Sequence, residues 1–97
     1  KQSHYDLELQ VLRLGDLCIV CWPGEPFVEG QLEVKRLSPK PYTFVAHWCN
    51  DAVSYIPTKR AYENGGFEVD LPWCRLAPGA LETMAKKSLL MLNKICK

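Results

Sequence analysis

The stretch that most constrains this chain is Leu17 to Glu25, L-C-I-V-C-W-P-G-E. The apolar run from Cys18 to Trp22 is too short for a helix and stops at Pro23-Gly24, a pair that breaks regular structure, so it reads as a buried strand. Glu25 then falls just past a strand end, where α/β proteins set reactive groups on rigid scaffold facing open space. An acid at that point is also what a helix start favours through its dipole, and residue type alone does not separate the two readings.

The remaining elements follow from periodicity. Tyr5 to Leu14 alternates, with Leu7, Leu9 and Val11 on one face and Asp6, Glu8 and Gln10 on the other, as in a half-exposed strand. Gly15-Asp16 turns it back into the Leu17 strand as an antiparallel hairpin. Between about Pro26 and Leu37 the residues Phe27, Val28, Leu32, Val34 and Leu37 fit helical spacing, with Pro26 in the first turn and Gly30 as a weak point. Past the loop Ser38-Pro39-Lys40-Pro41, the β-formers of Tyr42 to Trp48 predict a second buried strand. Strand, helix, strand implies a parallel crossover, so both strands end on one sheet edge and Glu25 neighbours the segment Asn50 to Tyr55.

Farther on, Ser54 to Gly66 holds a short helix with Thr58 as its N-cap and Asn64-Gly65-Gly66 as its end. Phe67 to Leu71 is expected as a short edge strand stopped by Pro72. Pro78 to Ile95 places Leu81, Met84, Ala85, Ser88, Leu89, Leu92 and Ile95 at three- and four-residue steps, with Lys86, Lys87 and Lys94 off that stripe, which predicts a long amphipathic helix packed on the sheet. The expected fold class is α/β: a small mixed sheet, an antiparallel hairpin plus a parallel crossover strand, packed by two to three helices with a long C-terminal one. Residues 1–97 show no repeat or linker and read as one domain.

Composition narrows the function. Twelve basic residues interspersed among eleven acidic ones give a net charge of +1, which leaves no electrostatic footprint for nucleic acid. No apolar run reaches the roughly 18 residues of a transmembrane segment. Five cysteines cannot all pair with one another, and Cys18, Cys21, Cys49, Cys74 and Cys96 mostly sit in apolar runs, as reduced buried thiols do. Cys18-x-x-Cys21 puts its thiols on opposite faces of a strand, which disfavours a zinc or redox motif, and His47 with Cys49 would need a second ligand pair to make a zinc knuckle.

Two motifs in order carry a resemblance: a strand ending Pro23-Gly24-Glu25, then a strand ending Cys49-Asn50 and followed by Tyr55, Thr58, Tyr62 and Gly65-Gly66. Together they resemble the C-terminal part of the catalytic domain of neutral/alkaline ceramidases and their uncharacterised bacterial relatives, over about Leu12 to Glu68 and more loosely through the final helix. In that family a zinc-activated water hydrolyses the amide of ceramide, and the metal is held by two histidines, a glutamate and a tyrosine. The resemblance carries the glutamate's role to Glu25 and the tyrosine's to Tyr55. It implies zinc as cofactor and an amide or lipid-like substrate. Neither His4 nor His47 lies in a matching motif, so it further implies that the histidines come from an upstream N-terminal region of a parent protein, and that this segment is inactive alone. A tyrosine usual in the family is replaced here by Phe67, at a position that would meet the substrate and supply a hydroxyl to the reacting amide. Loss of such a donor slows reactions roughly 100 to 1000-fold.

The alternative is a non-catalytic interaction or structural α/β module in which Glu25 and Tyr55 are incidental and Trp22, Trp48 and Trp73 serve core or contact roles. An H-x-H-type histidine pair in the parent sequence would distinguish the enzyme from the module. A cysteine hydrolase built on Cys49 and His47 is the weakest reading, because no third group is in place to orient such a pair.

Overall fold

In the computed structural model, the structure describes residues 7–50, 54–69, 74 and 76–96. The hairpin forms, but its first strand keeps only the end of the predicted Tyr5 to Leu14 stretch: residues 7–9 are not strand, and Leu12 and Leu14 are exposed. Strands β1 (Gln10–Leu14) and β2 (Leu17–Cys21) pair antiparallel, with Leu14 opposite Leu17 across a two-residue turn in which Gly15 takes φ +62°. Two short strands and a helix follow: β3 (Glu25–Pro26), α1 (Val28–Leu37) and β4 (Tyr42–Ala46), the last lying parallel to β2 with Leu17 opposite Tyr42. The sheet order β1-β2-β4 is thus the expected hairpin plus crossover strand. The chain then forms β5 (Tyr55–Ile56), α2 (Lys59–Asn64), a single 3-10 turn (Phe67–Val69) and the long helix α3 (Ala80–Ile95). The mixed α/β architecture with a long C-terminal helix is the one the sequence predicts.

One face of the three-stranded sheet makes the core. Cys18 and Val20 are fully buried there beside half-buried Val11 and Val45, against Val34 of α1 and Leu81, Met84, Ala85 and Leu92 of α3. Each fully buried aliphatic side chain of this kind stabilises the fold by roughly 1.5–3 kcal/mol. Trp22 is 0% exposed, and its indole N–H donates to Ser88 Oγ at 2.8 Å, which pairs these two polar groups inside the core. Gly30 lets α1 approach α3 closely: a Cβ there would stand 2.6 Å from Leu81 Cδ1 and 3.0 Å from Trp22 Cζ3. The glycine that reads as a weak point in a helix is therefore a point where two helices come close together. Arg13, on the core face of β1, donates 2.8 Å hydrogen bonds to the carbonyls of Gly15 and Ile95, tying the hairpin turn to the C-terminal end of α3.

Four further expectations are corrected. Pro26 is not in the first turn of α1. It extends β3, and the helix begins two residues later with Phe27 as N-cap, because the backbone at Glu25 and Phe27 is taken up by hydrogen bonds to the Ser54–Ile56 segment. The second strand stops at Ala46 and is buried on one face only, with Tyr42 and Phe44 exposed on the other. Phe67–Val69 closes as a 3-10 turn after the left-handed glycines Gly65 and Gly66, not as a strand, and residues 70–73 lie outside those described. On α3 the fully buried stripe runs through Leu81, Ser88 and Leu92, whereas Leu89 is half-buried and Ile95 exposed. The face of α3 turns toward α1 as well as the sheet, which rotates Leu89 to the margin of the core.

Candidate functional site

The site is built where β2 and β4 end. Past Cys21 the chain stays buried through Trp22, Pro23 and Gly24, turns at Gly24 with φ +62°, and emerges at Glu25, whose side chain is exposed. The loop after β4 is laced onto this bend: Trp22 donates its backbone N–H to Ala46, Cys49 to Trp22, and Trp48 to Gly24, each at 2.9 Å. A conformational cost accompanies that lacing. Trp48, Asn50 and Ser54 all adopt positive φ, at 57°, 68° and 68°. Asparagine tolerates the left-handed region, but for a residue as bulky as tryptophan it costs about 1–2 kcal/mol, so the surrounding hydrogen bonds must hold it.

The segment so positioned delivers Tyr55 directly to Glu25. The Glu25 N–H donates to the Ser54 carbonyl at 2.7 Å and the Phe27 N–H to the Ile56 carbonyl at 3.0 Å, forming a two-stranded parallel ladder in which Glu25 and Tyr55 are register partners. Partners in a parallel pair sit about 4.8 Å apart and direct their side chains to the same side. Phe27, two residues on, shares that side. Its ring meets Tyr55 edge to face at 6.5 Å and 89°, walling one side of the tyrosine ring.

Other motif residues support this ladder from behind. Thr58 Oγ1 accepts from the Ala61 N–H at 3.1 Å as the N-cap of α2, and Gly65 closes the helix at φ +79° by donating to Ala61. Glu82 of α3 accepts the Lys59 N–H at 2.9 Å, so the long helix also fixes the start of α2. The Tyr62 hydroxyl donates to the Leu76 carbonyl and meets the Cys74 thiol at 2.8 Å, while the backbone of Cys74 bridges antiparallel to Ser54. Burial, then the Cys74 thiol, pushes the Tyr62 hydroxyl well above its ordinary range, which keeps it a neutral donor. Tyr62 thus anchors the strand that carries Tyr55.

The thiols have separate partners. Cys18 lies 2.9 Å from Cys96, and Cys21 hydrogen-bonds Cys49, so the C-x-x-C pair points to opposite faces as expected. All five cysteines are free. Burial, and second the neighbouring Cys96 thiol, pushes Cys18 up to about 11, and burial with Cys49 likewise raises Cys21, so both stay protonated and poorly nucleophilic. His47 Nε2 is buried without a hydrogen-bond partner, a feature that no sequence pattern flagged.

Among the described residues no group of three or more histidine, cysteine, aspartate or glutamate side chains could hold a metal ion. Glu25 and Tyr55 are hard oxygen donors of the kind zinc accepts beside nitrogen, so they fit two of the four protein ligands implied by the ceramidase resemblance. Phe67 opens the 3-10 turn, and its side chain lies outside the described residues. Phe27 and Trp48, which shape the site through a ring contact and a left-handed turn, were not legible as site residues. Asn50 was named only through the Cys49-Asn50 motif, and its positive φ is one that asparagine tolerates. Comparison with protein-family models, with curated proteins and with solved structures finds no match to this chain.

Proposed function

We propose that this chain is the C-terminal segment of a ceramidase-like, zinc-dependent amide hydrolase, to which it contributes Glu25 and Tyr55 as metal ligands. The observation that carries the reading is the register pairing of Glu25 with Tyr55. The two motifs that bear the family resemblance thus converge on adjacent backbone positions whose side chains share a side. Glu25 supplies a charged oxygen from a strand end held by the buried Pro23 and Gly24, and Tyr55 supplies a phenolic oxygen oriented by Phe27. Bound there with histidines from an upstream region, zinc would lower the pKa of a water and polarise an amide carbonyl. The protein's own part is to present the two oxygens on a frame fixed by Trp22, Ser54 and Tyr62. Phe67, if its ring stands at the family's tyrosine position, cannot donate to the reacting amide, and the substrate preferred by the parent protein would be an amide or lipid-like ester less dependent on that donor.

The test is amide hydrolysis by the full-length parent protein. Glu25→Gln is expected to abolish it, because a carboxamide is a poor zinc ligand beside a carboxylate. Phe67→Tyr is expected to raise it by adding one oxygen to an existing ring. Hydrolysis that is indifferent to Glu25→Gln would remove the zinc mechanism and favour the interaction-module reading.

A further inference from the structure

Cys18 and Cys96 are 78 positions apart in the chain, yet their sulfurs stand 2.9 Å apart inside the core. A disulfide bond is about 2.0 Å long, so less than about 1 Å remains to be closed between them. Both thiols sit on regular structure. Cys18 lies in β2, the middle strand of the sheet, and Cys96 caps α3, where its backbone N–H donates to the Leu92 carbonyl at 2.9 Å. One residue before it, the Ile95 carbonyl accepts from Arg13, so the same end of α3 is already tied to the hairpin. The other thiols are engaged elsewhere: Cys21 with Cys49 on the opposite face, and Cys74 with the Tyr62 hydroxyl. Access divides the pair, since Cys18 is 0% exposed whereas Cys96 is 8% exposed.

We infer that Cys18 and Cys96 are an oxidation site, at which a low-molecular-weight disulfide such as glutathione disulfide converts the two thiols into a bond between β2 and the end of α3. The exposed partner reacts first. Cys96, as its thiolate, attacks one sulfur of the reagent, breaking its S–S bond and releasing one glutathione thiolate, which takes up the proton Cys96 gave. Cys18 then gives up its own proton and attacks Cys96 Sγ, so the protein S–S bond forms, the mixed one breaks, and a second glutathione leaves as its thiol. Two protein thiols are oxidised and one disulfide is reduced to two thiols. Burial keeps Cys18 protonated and out of reach of the reagent, which reserves it for this second step, and its fixed position beside Cys96 makes that step intramolecular. The closed loop runs from β2 to the cap of α3 and takes in the Glu25–Tyr55 ladder, and a loop that long restricts the unfolded chain strongly. The inference does not depend on the zinc reading, since it assigns no role to Glu25 or Tyr55.

Equilibration of the folded chain with mixtures of reduced glutathione and glutathione disulfide tests it, with free thiols trapped by alkylation and linked peptides read by mass spectrometry without reduction. The expected result is a peptide bearing residue 18 joined to one bearing residue 96. The link should persist in Cys21→Ser, which separates it from a bridge through Cys21. Cys18→Ala should instead hold Cys96 as its mixed disulfide with glutathione. The bridged chain should melt roughly 10–20 °C above the reduced one. Cys96→Ala, at a helix cap, should keep the circular dichroism spectrum and show no such rise with the oxidant. Four results would each overturn the proposal: no link at any ratio of the two glutathione forms, a bridge between Cys21 and Cys49 alone, a link from residue 18 to residue 96 that forms only after denaturation, or a bridged chain that melts no higher than the reduced one.

Discussion

Trp22 and Glu25 are three residues apart and belong to different physical regimes. Trp22 closes the core: no part of it is exposed, its indole is hydrogen-bonded to α3, and its ring packs against the glycine at which α1 meets α3. Glu25 is exposed, in a two-residue strand whose geometry depends on backbone bonds to Ser54 and on left-handed turns at Trp48, Asn50 and Ser54. The first region holds the fold and the second is held by it. Stability and chemistry are therefore expected to respond to different substitutions, although they arise from one continuous stretch of chain.

The largest effect expected on stability is at the core end. Trp22→Ala should cost about 3–5 kcal/mol in denaturant unfolding, through lost burial and a cavity that also strands the Ser88 hydroxyl. A loss below about 1 kcal/mol would show that the indole is not the keystone described here. Gly30→Ala comes next. In an exposed helix that change gains up to about 1 kcal/mol, but here the added methyl meets Leu81 and the rigid Trp22 ring, and a net loss of about 1–2 kcal/mol is expected in the same assay. A stabilised Gly30→Ala variant would mean that the two helices do not touch at this point.

Alkaline unfolding sharpens the contrast further. The folded state raises Cys18 from its ordinary 9.0 to about 11 and raises Cys21 and Tyr62 as well, chiefly by burial. A group with a raised folded-state pKa holds its proton more tightly when folded, so its contribution is complete below the unfolded value and is lost as pH rises through the folded one. Stability should therefore fall between about pH 9 and about 11, with a shallower slope in Cys18→Ala. A flat profile over that range would argue against thiols buried in the core. At the other end of the comparison, Glu25→Gln should change stability by no more than about 0.5–1 kcal/mol, because Glu25 is exposed and the ladder that carries it is made of backbone bonds.

Legibility in the sequence follows the same division. The hairpin, the parallel crossover and the long helix could be read because Gly15-Asp16 turns the chain into the apolar run from Leu17, because Tyr42 to Trp48 is rich in β-formers, and because Leu81, Met84, Ser88 and Leu92 share a helix face, whereas the alternation of Leu7, Leu9 and Val11 overstated the first strand, which starts at Gln10. The neighbourhood of Glu25 and Tyr55 could be read as well, since both follow strands that end on one edge. What was not legible is created by tertiary bonds across the sheet edge. No local pattern predicts that Pro26 would enter a two-residue strand, that Trp48 would turn left-handed to reach Gly24, or that Gly65 and Gly66 would lead into a 3-10 turn at Phe67. Phe44 and Tyr42 on an open face were hidden for a related reason, since β propensity reports a strand and not what covers it.

The proposal turns on Glu25 and Tyr55 acting as one oxygen-donor pair, which by itself supplies two of the protein ligands a zinc site takes. Nuclear magnetic resonance titration of the chain with zinc tests it most directly, followed through the amides of residues 25 and 55 and the Tyr55 ring. Two ligands predict weak binding, with shifts centred on Glu25 and Tyr55 that vanish in Glu25→Gln while the rest of the spectrum is unchanged. Submicromolar binding that survives Glu25→Gln, or shifts centred on Cys21, His47 and Cys49, would contradict the claim and place the metal chemistry on the thiols and the buried imidazole instead.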